Sequence, residues 1–159
     1  MKTKIISTLL AIFLVVIFTF TACSDNTDNI SGGDDSAQSS VAAVLEGSDK
    51  LVVIEAAATG GSLEEAMSAL KEAGKLTYDG SEGEYGFYIN SVNGYTPNAE
   101  NNEYWAVYTT LGEYDGVEYS NAGYGTYDYE GKTLASASYG ISGLPLIEGE
   151  IYVLVVEAY

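Results

Sequence analysis

A chain of 159 residues with fourteen tyrosines, no histidine and no arginine has few ways to do chemistry. Without histidine there is no imidazole base for a Ser-His-Asp relay, and one cysteine cannot build a zinc site. Serines are plentiful, but an activated nucleophile needs an adjacent base, and Lys50, Lys71, Lys75, Lys132 and the carboxylates are the only groups at hand in the folded part. Glu100 and Glu103 carry no pattern of a desolvated carboxylate pair and read as solvated charges. No enzymatic activity, cofactor or metal is therefore expected. The residues that do stand out are aromatic. Between Tyr85 and Thr110 lie five tyrosines, Phe87 and the single tryptophan, Trp105, around the loop "NGYTPNAENNE". Such side chains supply stacking area at low entropic cost and a polar atom for a ligand or water. Tyr95, Tyr104, Trp105 and Tyr108 are the candidate ligand contacts. The competing account is that aromatics are good strand residues whose cross-strand pairs stabilise a sheet by about 0.2–1 kcal/mol each.

Strands must hold these side chains, because the segment alternates β-formers between turn signals. Strands are expected over Leu51 to Ala56, Leu76 to Asp79, Tyr85 to Val92, Tyr104 to Thr110, Gly116 to Tyr119, Gly125 to Tyr129, Lys132 to Ala137 and Glu150 to Glu157, with a hairpin turn at "YEGK". Alternation puts Tyr85, Phe87 and Ile89 on one face and Tyr88 and Val92 on the other, and it separates Trp105 from Tyr104 and Tyr108. The last strand is apolar on both faces, as a strand inside a sheet must be. One helix is expected: Ser62 and Glu65 form a capping box, Leu63, Ala66, Met67 and Leu70 share a face, and Gly74 suits the left-handed position beyond the end. The fold class is α+β, one helix packed on a mostly antiparallel sheet. The face away from the helix is then the expected binding surface.

The amino terminus reads as an address. "MKTK" precedes sixteen largely apolar residues, Ile5 to Phe20, too few for a comfortable span and right for a signal peptide. The following "FTACS" resembles the lipobox of bacterial lipoproteins, which implies lipidation of Cys23 after removal of residues 1–22. An ordinary cleaved signal, or an uncleaved anchor with a free thiol, is the alternative. Residues 23–49 read as a flexible acidic tether, and residues 50–159 as the domain. Cut before Cys23, the chain has four lysines against 23 acidic residues, 4 − 23 = −19, which disfavours nucleic acid as a partner.

The order of elements resembles one known family. A strand, the "GGSLEEAMSAL" helix, the Gly86 to Gly94 pattern G-x-Y-I-x-S-x-N-G, the Tyr104–Trp105 pair and the Leu146 to Glu150 pattern L-x-E-G-E are similar to the transcobalamin C-terminal-like domain of bacterial lipoproteins. The resemblance implies a β-grasp-like fold and a small-molecule ligand, cobalamin or another corrinoid, bound outside the membrane at a lipid-anchored site and passed to a membrane transporter. This chain lacks the helical domain that completes the cobalamin cage in transcobalamin, and it carries a longer tyrosine-rich segment at 113–140. The alternative is a cell-surface interaction module whose tyrosine-rich face binds protein or glycan.

Overall fold

The computed structural model describes residues 41–159. The expected signal peptide, Cys23 and the expected tether up to residue 40 lie outside the described residues. Ten strands, one helix and a short 3-10 turn make up the described residues. β1 (Ala42–Gly47) and β2 (Leu51–Ala56) form a hairpin, and α1 (Leu63–Glu72) follows. Next come β3 (Tyr78–Gly83), β4 (Gly86–Val92), a 3-10 turn (Ala99–Asn101) and β5 (Glu103–Thr109). The short β6 (Glu113–Tyr114) and β7 (Val117–Glu118), the long β8 (Ser120–Tyr129), β9 (Lys132–Ala137) and β10 (Ile151–Ala158) complete the chain. The main sheet runs β1-β2-β10-β5-β9-β8, while β3–β4 and β6–β7 are separate hairpins. Every strand pair is antiparallel. The α+β class therefore holds.

Local chemistry explains the helix. Ser62 accepts from the Glu65 amide at 3.2 Å while the Glu65 carboxylate accepts from the Ser62 amide at 3.1 Å, satisfying two amides that the first turn leaves free. Leu63, Ala66, Met67 and Leu70 are all buried, and Gly74 takes the left-handed conformation at φ 67°. Their apolar stripe packs with Val52, Ile54, Tyr152 and Leu154 of the sheet. Inside the sheet, β10 sits between β2 and β5, and Ile151 to Leu154 are buried on both faces.

Three expectations change. An acidic tether is expected through residue 49, but Ala42–Gly47 is the edge strand of the main sheet, paired with β2 through the Ser48–Lys50 turn. Its alanines carry little β-propensity, so composition hid it. The first strand of the second hairpin also lies later than expected, at Tyr78–Gly83 rather than Leu76 to Asp79. Leu76 is instead a buried core residue ahead of it. Finally, the sheet face away from the helix is covered. β9 pairs with β5 only at Ser136 and Ala135, and the β8–β9 hairpin packs Tyr127, Tyr129 and Leu134 over Val53, Ala106, Tyr108 and Val153. The tyrosine-rich 113–140 segment thus supplies a second small core.

Candidate functional site: an aromatic cavity at Trp105

Register fixes which aromatics can meet. Trp105 and Val107 lie opposite Val156 and Leu154, and they share the helix-side face of the sheet with the main core. Facing them is β4, where a register shift leaves Asn90 as an extra residue, so that Ile89 pairs with Gly80 and Ser91 with Asp79. A bulge of this kind re-aims the strand. It corrects the simple alternation: Phe87, Ile89 and Val92 all pack against the main core, although Val92 was expected opposite Phe87 and Ile89. Gly86 makes the approach possible. It stands at φ 101°, and a Cβ there would fall 2.3 Å from the Ser142 hydroxyl, which accepts from the Phe87 amide at 3.0 Å.

Between these walls is a cavity of about 650 Å³. Tyr85, Phe87, Tyr88 and Trp105 give it aromatic walls with Tyr104 at the edge, Asn90, Thr96 and Glu103 give it polar groups, and Ile141 and Gly140 complete the lining. Trp105 is half-buried, and its Nε1–H meets no acceptor among the described residues. No lysine lines this space.

The loop from Gly94 to Asn102 forms one rim and is tightly held. Tyr95 donates to Glu103 Oε2 at 2.5 Å, and the Asn98 amide donates to the same oxygen at 2.9 Å. Asn98 Oδ1 accepts from Glu100, capping the 3-10 turn, and Asn102 closes it at φ 56°. Lys50 lies 3.6 Å from Glu103 Oε1 and 4.4 Å from the centre of the Tyr95 ring. The Tyr95 hydrogen bond, then that of Asn98, holds the Glu103 carboxyl below the usual carboxylate range. Glu103 is therefore a fastener, where a solvated charge was expected.

Of the four proposed contacts, the structure brings Trp105 and Tyr104 to the cavity. Tyr95 does not line it but stands edge-on to Trp105, with ring centres 6.5 Å apart, and so supports the indole from behind. Tyr108 is on the opposite face, buried in the second core, with its hydroxyl 2.8 Å from Glu157 Oε1. Burial, reinforced by that carboxylate, pushes the Tyr108 hydroxyl up to about 12. Tyr104 shares Glu157, donating at 3.1 Å, so it reaches only the cavity's edge. Sequence reasoning missed Phe87, Tyr88, Ile89 and Tyr85 as lining residues. Their signal was the density of aromatics in "YGFYI" beside a Gly-rich hairpin, which was read only as strand.

Ser68 and Lys71 stand in a Ser-x-x-Lys arrangement on α1. Both are exposed, and the Lys71 ammonium donates to the Tyr78 carbonyl at 2.8 Å. Among the described residues no three of the His, Cys, Asp or Glu side chains are grouped to hold a metal ion, and no helix is long and apolar enough to cross a membrane. Comparison of the chain with protein-family models, with curated proteins and with solved structures finds no match.

Proposed function

We propose that this protein is a lipid-anchored extracytoplasmic binding protein that holds a small ligand against Trp105 and hands it to a membrane transporter for uptake. The observation that carries the reading is the cavity: about 650 Å³ is within the range of small-molecule sites, roughly 300–1,000 Å³, and its mixture of aromatic walls with a few polar groups is typical of them. The lipobox-like "FTACS" at Cys23 supports the anchor, and the resemblance to the transcobalamin C-terminal-like domain makes a corrinoid the first ligand to test. The β-grasp-like reading rests on a hairpin followed by the helix, with the last strand inserted at the sheet's centre; the β2–β10 pair there is antiparallel. A corrinoid would lie across the cavity with one face gripped, and fewer contacts would then offset its loss of freedom, so the affinity should be modest.

Titration calorimetry with cobalamin and cobinamide tests this. Trp105→Phe should keep most of the affinity and Trp105→Ala should weaken it at least tenfold, with circular dichroism unchanged in both. Binding indifferent to Trp105 and Tyr104 would remove the site, and no heat at high micromolar concentration would remove the corrinoid. Protein or glycan binding is the second reading. Tyr85, 79% exposed, and Tyr88, 53% exposed, favour it, because they widen the cavity's edge into an aromatic surface. A glycan panel bound through Tyr85 and Tyr88, with no small-molecule heat, would select that reading.

A further inference from the structure

The chemistry of the cavity wall narrows the ligand class. We infer that the cavity at Trp105 takes an organic cation, an ammonium group carried on an apolar body, with the aromatic faces around the charge and Glu103 as its counter-ion. This rests on the small-ligand reading above and specifies it.

Four observations converge. Four aromatic side chains, Tyr85, Phe87, Tyr88 and Trp105, wall the space, and the negative π-faces of tyrosine and tryptophan attract a desolvated cation. Glu103 is the only charged residue of the lining. It is fixed from behind by Tyr95 and the Asn98 amide, so its carboxylate is preformed and needs no reorganisation on binding. No basic residue lines the cavity, so a phosphate or carboxylate would enter with no counter-charge there. Residues 41–159 carry four lysines against nineteen acidic residues, 4 − 19 = −15, and that field repels anions and draws cations inward.

The one cation nearby shows the same preference. Lys50 sits with its ammonium over the Tyr95 ring and near Glu103, on the outer side of the rim. It balances part of the Glu103 charge, but its side chain is half exposed and water screens it. The aromatic faces inside the cavity have no such occupant among the described residues. Lys71 over the Tyr78 ring at 4.8 Å repeats the motif elsewhere. Two of the four lysines of residues 41–159 are thus already held by tyrosine faces.

Trp105 is the sole tryptophan of the chain, so its emission reports this cavity alone. The test titrates the full chain, in a non-ionic detergent, with isosteric pairs: choline against 3,3-dimethylbutanol, and benzyltrimethylammonium against neopentylbenzene. Each pair matches shape and differs by one positive charge. The expected result is at least tenfold tighter binding of the cation in both pairs. Glu103→Gln retains an acceptor for Tyr95 and the Asn98 amide, and should cut the ratio of cation to neutral affinity within each pair several-fold. Equal or tighter binding of the neutral member overturns the inference while leaving the small-ligand reading intact. Saturable binding of a neutral sugar, with no response to either cation, overturns it in favour of another ligand class. If no probe moves the emission at 10 mM, on the order of the weakest affinity worth assigning at about −3 kcal/mol, the inference falls. The corrinoid calorimetry then decides separately whether the cavity binds anything.

Discussion

At Glu103 a single carboxylate holds the loop that frames the cavity, and its ionisation should be visible in Trp105. Its pKa is lowered in the fold from the ordinary 4.5, so its contribution is present above that value and lost as pH falls through the lowered one. Acid titration should therefore leave the Trp105 emission steady to about pH 4.5 and change it below, before the far-ultraviolet dichroism changes. Glu103→Gln should abolish that early step; an emission change that survives the substitution would assign it to another carboxylate. Tyrosines give the opposite sign. Tyr108 and Tyr152 are pushed from 10.0 to about 12, chiefly by burial, so their contribution is intact below pH 10 and lost as pH climbs toward 12. Tyr152 is fixed as well by donating to the Pro145 carbonyl at 2.6 Å. Absorbance at 295 nm should show these two of the fourteen tyrosines ionising last, together with unfolding. Tyr108→Phe should remove one of them. At this scale the sequence made aromatic identity plain and even the parity that parts Trp105 from Tyr108. It could not show which face would be open, because that depends on where residues 127–134 fold back.

Elements with local signals were the legible ones. α1 declares itself through its cap, its stripe and Gly74, and Lys132–Ala137 through the "YEGK" turn, where Glu130 and Gly131 both take positive φ. The energetic weight of the two helix signals should differ. Leu70 is 4% exposed beneath the sheet, so Leu70→Ala should cost about 2–5 kcal/mol. Ser62→Ala removes one cap acceptor at the exposed end and should cost about 0.5–2 kcal/mol. Urea unfolding of both variants measures the order; a neutral Leu70→Ala beside a severe Ser62→Ala would mean that the stripe is not what fastens the helix. Two elements were illegible for physical reasons. The Asn90 bulge obeys no local periodicity, since it exists to let Ile89 and Val92 reach one core. Four residues of β8, Ala122 to Gly125, likewise leave the ladder with β9, and Gly125 ends against the Tyr108 hydroxyl at φ 146°. Only the partner strand reveals either irregularity.

Across the whole molecule the sheet separates two cores, one sealed by α1 and the β3–β4 hairpin, the other by the β8–β9 hairpin. The cavity belongs to the first, which leaves the second free to act as a brace. β1 is the element whose worth is least evident from composition, and its removal distinguishes a domain beginning at residue 41 from one beginning at residue 50. Its Ala42 is 2% exposed, and Val41 and Val44 pack against the main core. Uncovering these contacts should cost about 2–3 kcal/mol at roughly 25 cal/mol per Å² of apolar surface. A second cost follows from hydrogen bonding: without β1, β2 becomes the edge, and Val52 to Ile54, wholly buried now, would present an apolar strand with unpaired amides to other chains. The Ser48 carbonyl would be lost too, and with it the acceptor for Asn93 Nδ2 at the end of β4. A chain of residues 50–159 should therefore unfold at lower urea than residues 41–159 and associate at concentrations where the longer form stays monomeric. Urea melts and light scattering on the two chains decide the point. Equal midpoints with equal monodispersity would return β1 to the tether and place the start of the domain at Lys50.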